Sequence, residues 1–296
     1  MRILAAVLAG LAIEAGVQGQ VFKSVVDMAS FGVTVIDRKG ELATALGREA
    51  FEVYEDGVRQ ELSLFARGDH TDQALDLHLG LLFDTSGSME ETIGFARSAA
   101  IKFLNAMPEA HDFTLVAFDT EVRVTRYSQQ DFPRLVERIR RRKPDGMTAL
   151  YDAIGVYLDG AQAEGGRRVL VLYTDGGDTN SRMSYGEIQD LLKASDITLY
   201  AVGLLGNLSQ SAQMDQRMRL RTLAELTGGQ AFFPSALKDL DATYEKVLAE
   251  IRAQYTLGFL STNARTDGAW RKVDIKVKDP ALKVRTRRGY YAPFRK

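Results

Sequence analysis

The chain has no cysteine among its 296 residues. That excludes disulfides, thiolate metal sites, a cysteine nucleophile and lipidation of an amino-terminal cysteine, and it leaves the redox compartment open. Histidine is scarce too: His70, His78 and His111 are the three, and none stands in an H-E-x-x-H or other paired spacing. A histidine-ligated zinc hydrolase therefore has no visible ligand set, and a serine nucleophile has no visible base. Neither sign of charge is in excess, with 38 Lys and Arg against 39 Asp and Glu, so no general affinity for nucleic acid or anionic membranes follows. An apolar run of the roughly 20 residues needed to span a bilayer is missing as well. The most apolar stretch, residues 1–19 (MRILAAVLAGLAIEAGVQG), sets Arg2 before a short core at 3–13 and ends on Gly19. This is the layout of a signal peptide cleaved near Gly19, and it predicts an exported chain, periplasmic, secreted or at the cell surface.

What remains is an ordinary folded composition, 45% hydrophobic and 26% charged, without internal repeats or low-complexity tracts. Residues 20–73 read as β: SFGVTVID alternates, and FEVYEDGVRQELSLF places Asp56-Gly57 between two alternating runs, a hairpin signal. GDHTDQ at 68–73 is a polar linker. Residues 74–254 alternate strand and helix patterns, as in a doubly wound, mostly parallel sheet. Helices are expected at 91–107, 134–143, 147–164, from the Ser184/Glu187 capping pair onward, around 218–226, and from 240 to 255. Residues 255–296 return to β in YTLGFLS, WRKVDIKVK and LKVRTRRGYY. Neither terminal portion is long enough to build a generous core alone, so the two are expected to pack as one small β-sandwich with the α/β part inserted between them.

The chemistry gathers where apolar strands stop. LGLLFDTSGSM at 79–89 is a buried-type strand that ends on Asp84, Ser86 and Ser88. RRVLVLYTDGG at 167–177 runs likewise into Asp175, and DGMTAL at 145–150 sets Thr148 at the head of a helical pattern. In open α/β sheets ligands bind at the carboxyl ends of strands. Carboxylates and hydroxyls are hard oxygen donors, which suit Mg²⁺, Mn²⁺ or Ca²⁺ better than zinc. A lone D-x-S-x-S is a common helix-capping turn; the ordered set of five is far more specific. Asp84, Ser86, Ser88, Thr148 and Asp175 match the metal-ion-dependent adhesion site of von Willebrand factor type A domains, and the segment closely resembles that family. With TALYDA at 148–153, YTDGGDT at 173–179, QYTLGFLSTN and the ending RRGYYAP, the whole chain resembles the von Willebrand factor A-related family of exported bacterial proteins. The resemblance implies a metal held by the serines and Thr148, directly or through water, with the two aspartates acting largely through bridging waters. Five donors do not close the shell of an ion that wants about six oxygens, so an Asp or Glu of a protein partner would complete it.

Enzymatic readings fare worse. A haloacid-dehalogenase phosphatase needs an acid where Ser86 stands, aspartic proteases need Asp-Thr-Gly twice, and metal-activated hydrolysis lacks a visible second group. A chelatase or ATPase cofactor subunit conflicts with the signal-like amino terminus. The principal alternative is a scaffold whose metal only stabilises loops, with the partner docking on the terminal β portion, for instance at Phe259. Asp119, at the end of the second strand, and Asp178, beside the Asp175 turn, read as acids that back or rim the metal and equally well as solvated loop acids, so they stay outside the ligand set. The basic run RIRRRK at 138–143 reads as an exposed helix face, and Lys283, Arg285, Arg287 and Arg288 as mostly lining an outer strand face.

Overall fold

The computed structural model describes residues 28–68, 75–161 and 165–294. The signal segment and nearly all of the 68–73 linker lie outside them. The first strand, β1 (Met28–Ile36), is followed by the hairpin β2 (Phe51–Glu55) and β3 (Val58–Gln60), then β4 (Leu62–Arg67). The hairpin turns at Asp56 and Gly57, with φ of 47° and 85°. Two consecutive positive φ values match the right-handed twist of the flanking strands, which is why Asp-Gly marks the turn in sequence.

The α/β part runs β5 (Leu77–Asp84), α1 (Ile93–Asn105), β6 (Ala110–Phe118), β7 (Val122–Ser128), α2 (Phe132–Arg141), α3 (Leu150–Ala161), β8 (Arg167–Thr174), α4 (Tyr185–Ala194), β9 (Thr198–Gly203), α5 (Gln210–Leu226), β10 (Gln230–Phe232) and α6 (Leu240–Ala253). Its sheet has the order β10-β9-β8-β5-β6-β7, parallel except for the antiparallel edge strand β7. Every residue of β5 is buried, because helices cover both faces. Leu79, Leu81 and Phe83 pack with residues of α1, α2 and α6, while Leu82 faces α3, α4 and α5. Successive strand residues thus serve opposite layers, and the run has no polar alternation.

The chain then returns to β11 (Tyr255–Leu260), β12 (Trp270–Val277), β13 (Lys283–Arg285) and β14 (Gly289–Tyr291). These join the amino-terminal strands in two four-stranded antiparallel sheets, β13-β1-β11-β4 and β14-β12-β2-β3. Their shared core combines Phe31, Val33, Phe51 and Val53 with Tyr255, Leu257, Phe259 and Val273. Each sheet therefore needs both ends of the chain.

Two sequence readings are corrected here. Phe259 is 1% exposed and stacks on Phe31 with ring centroids 6.0 Å apart, so it is core and offers no docking surface. Arg285 and Arg287 do not line an outer face. Arg287 is 7% exposed, lies 4.5 Å over the Phe31 ring, and donates to the Ser195 and Ser30 carbonyls at 2.8 and 2.7 Å. Arg285 pairs with Glu250 of α6. Both arginines tie the sandwich to the α/β layer, a long-range role that strand alternation does not reveal.

Candidate metal centre at the carboxyl edge of the sheet

Strand order reverses between β5 and β8: from β5 the chain proceeds to β6 on one side and later to β8 on the other. The crevice at such a reversal is where α/β sheets bind ligands. Asp84 is the last residue of β5, and Asp175 follows directly on β8. Ser86 and Ser88 lie in the loop and 3-10 turn (Gly87–Glu91) that continue from Asp84.

Four of the five residues form one connected hydrogen-bonded group. Asp84 is 0% exposed; its Oδ1 accepts from the Ser86 backbone N–H at 2.9 Å and its Oδ2 from Thr174 Oγ1 at 2.6 Å. Ser86 Oγ and Ser88 Oγ are 3.1 Å apart, and Ser88 Oγ donates to Asp175 Oδ1 at 2.8 Å. Thr148 precedes α3 and is fixed through its backbone. Its N–H donates to Thr179 Oγ1 at 2.9 Å, and its carbonyl accepts from the N–H groups of Thr179 and Asn180 at 2.9 and 3.0 Å. The loop before it is joined to the first, with Gly87 N–H donating to the Gly146 carbonyl at 3.0 Å and Asp145 N–H to the Thr85 carbonyl at 2.9 Å. Thr148 is thus held between the loops of the other four, with its hydroxyl outside these bonds.

Burial pushes the Asp84 carboxyl up to about 6, and hydrogen bonds from Ser86 and Thr174 offset only part of the desolvation. Asp175 is shifted upward for the same reason, against the bond from Ser88. Two neighbouring carboxyls held out of water resist ionisation, and a dication between them reverses that preference. The donor set fits such an ion: carboxylates and hydroxyls from three loops, with neither nitrogen nor sulfur. Among the described residues no three His, Cys, Asp or Glu side chains are gathered as a metal cluster, so a cation here depends on the Ser and Thr hydroxyls beside the two acids.

The remaining singled-out groups fall elsewhere. Asp178 caps α3, accepting from Tyr151 N–H at 3.3 Å and from the Ser181 hydroxyl. Asp152 reciprocates, accepting from the backbone of Arg182 and Met183. His78, near the start of β5, is paired with Asp112 at 3.0 Å, about 20 Å of strand away from Asp84 at ~3.3 Å per residue. His111 faces Asp76 at 3.6 Å, and His70 lies outside the described residues. Sequence reading missed Thr174, which anchors Asp84; a hydroxyl directly before Asp175 was the available signal.

Fold and site together define a doubly wound α/β module with a cluster of oxygen donors at its switch point. A family model for the von Willebrand factor type A domain matches residues 78–246, more than half of the chain, and the chain belongs to that family. A comparison with curated proteins finds no match. Among solved structures, a von Willebrand factor type A protein from Catenulispora acidiphila aligns at 13% identity and a TM-score of 0.51, covering 92% of this chain and 75% of that one. The PilB minor pilin from Streptococcus sanguinis aligns at 16% and 0.50, over 62% of this chain and 63% of the pilin. The pilus adhesin SpaC from Lactobacillus rhamnosus GG, in an open conformation, aligns at 11% and 0.53, over 84% and 48%. This chain thus matches a little under two thirds of the pilin and about half of the adhesin. At such identities the likeness is one of fold.

Proposed function

We propose that this chain is an exported protein-binding module that holds a divalent cation at Asp84, Ser86, Ser88, Thr148 and Asp175 and captures an acidic side chain of a protein partner there. The observation that carries the reading is the hydrogen-bonded line Asp175, Ser88, Ser86, closed behind by the fully buried Asp84. The donor chemistry favours Mg²⁺, with Mn²⁺ or Ca²⁺ as the other oxygen-seeking ions. When bound, the ion supplies an electrophilic coordination position for an incoming carboxylate. The chain's own residues supply the rest: Thr174 fixes the Asp84 carboxylate, Asp175 orients Ser88, and Ser88 and Gly87 are exposed on the outward side. Binding rather than hydrolysis is the reading because His78 and His111 sit at the opposite end of the sheet. Export is supported by the signal-like segment at 1–19, and no helix among the described residues is long and apolar enough to cross a membrane.

Calorimetric titration of Mg²⁺ into the purified chain and into Asp84→Ala tests the reading. Saturable one-site binding that disappears in the variant is expected, as is loss of partner binding in chelator. Indistinguishable heats from the two folded proteins would overturn it.

A further inference from the structure

The turn between β6 and β7, residues 119–121, supplies none of the five candidate ligands, yet every loop that supplies them is bonded to this turn or the strand end before it. On the first loop, Thr85 N–H donates to the Phe118 carbonyl at 2.7 Å, and Thr85 Oγ1 is shared between that carbonyl at 3.1 Å and Asp119 Oδ2 at 3.3 Å. On the second, Ala149 N–H donates to the Asp119 carbonyl at 2.9 Å and Met147 N–H to Thr120 Oγ1 at 2.9 Å, which brackets Thr148 from both sides. On the third, Asn180 Nδ2 donates to the Thr120 carbonyl at 3.2 Å. The approach is close: Gly146 has φ +73°, and a Cβ there would stand 2.3 Å from Thr120 Oγ1.

The contacts are unequal. Thr120 is exposed, so water competes for its bonds. Asp119 is 8% exposed and Thr85 0%, and a polar group left unpaired in the interior costs more than one at the surface. The Asp119 carboxylate is also fixed on its other sides, accepting from Glu121 N–H at 2.9 Å and from Arg123 Nη1 at 2.7 Å. Arg123 balances its charge, so Asp119 adds little negative field to the two candidate ligand acids.

We infer that Asp119 is a positioning residue of the metal centre: it stands outside the candidate ligand set, and through its carboxylate on Thr85 and its carbonyl on Ala149 it sets the spacing between the Asp84–Ser88 loop and Thr148. This rests on the metal-binding reading and deepens it by placing the control of cation affinity on a residue outside the ligand set. Groups that orient ligands from behind are worth about 10-fold to 100-fold in metal affinity.

The test is a double-mutant cycle in Mg²⁺ affinity on the full chain, using Asp119→Asn and Thr85→Val, with Thr85→Ser as the variant that retains the hydroxyl. Each disruptive change should weaken Mg²⁺ about tenfold, the double variant should be little worse than either single one, and Thr85→Ser should stay near wild type. Full multiplication of the two losses, or an unchanged affinity in Asp119→Asn, would overturn the inference. A second arm needs no metal: backbone amide exchange in chelator should quicken at Thr85, Asp145, Met147 and Ala149 in Asp119→Asn. If wild type takes up no Mg²⁺, the proposed function fails while this arm still decides whether Asp119 spaces the loops; unchanged exchange at those amides refutes that.

Discussion

Asp84 is buried, bonded on both oxygens and ordinarily anionic, and its proton is the quantity to follow. Its folded pKa of about 6 lies above the ordinary aspartate value of 3.8, so in metal-free protein the folded state holds the proton more tightly than the unfolded state. The stability this provides is complete below about pH 3.8 and is lost as pH rises through about 6, on the order of 3 kcal/mol in all. Asp175 shifts in the same direction and adds to the trend. Asp84→Asn removes the titration while keeping the shape of the side chain. In chelator it should match wild type near pH 4 and exceed it near pH 7.5, as read from urea midpoints at the two pH values. Mg²⁺ should reverse the order at pH 7.5 by stabilising only wild type. Parallel pH profiles for the two proteins in chelator would show that Asp84 carries no such strain.

Elements follow local rules wherever those rules are strong. The Ser184 hydroxyl accepts from Glu187 N–H at 3.3 Å while the Glu187 carboxylate accepts from Ser184 N–H at 2.7 Å. This capping box opens α4, whose Ile188 and Leu192 are fully buried. Ser184→Ala should cost about 1 kcal/mol, measured by chemical denaturation, and Ser184→Asp should recover most of it. A loss below a few tenths would mean that burial of Ile188 and Leu192 alone sets the helix start. The capping pair, the Asp56-Gly57 hairpin and the apolar run into Asp84 were legible because their causes lie within a few residues of one another. So were the strand ends and the helix start on which the candidate site residues stand, because those patterns are plain. Three features were not legible. The turn Gly87–Glu91, which holds Ser88, is 3-10 and α1 starts only at Ile93, a matter of how the loop is pinned. Phe259 has the same strand alternation whether it faces core or solvent, and only its partner Phe31, far away in sequence, decides. Asp119 stands beside the site in the sequence too, but it carries no motif, and its bonds to loops that meet it in space could not be read there.

At the scale of the whole molecule, two bodies meet across a seam that several polar contacts cross. Gln254, between α6 and β11, donates through Nε2 to Thr198 Oγ1 at 3.1 Å, and Arg285 Nε of β13 donates to the Gly228 carbonyl at 3.2 Å. Arg287 reaches Ser195 at the end of α4 and Ser30 in β1. Burial lowers its pKa to about 10, so it stays charged at neutral pH with two carbonyls and the Phe31 ring around it. Removing it leaves those carbonyls short of donors and a void beside an aromatic ring, a loss of about 2–4 kcal/mol. The larger consequence concerns cooperativity. α6 passes directly into β11, and each sandwich sheet combines strands from both chain ends, so the sandwich cannot form without both crossings of the seam. Wild type should therefore unfold in one calorimetric transition whose van 't Hoff and calorimetric enthalpies agree. Arg287→Ala should broaden or split that transition, with the Mg²⁺-dependent part following the α/β body alone. Two transitions in wild type would show instead that the bodies fold independently and that the seam only holds them side by side.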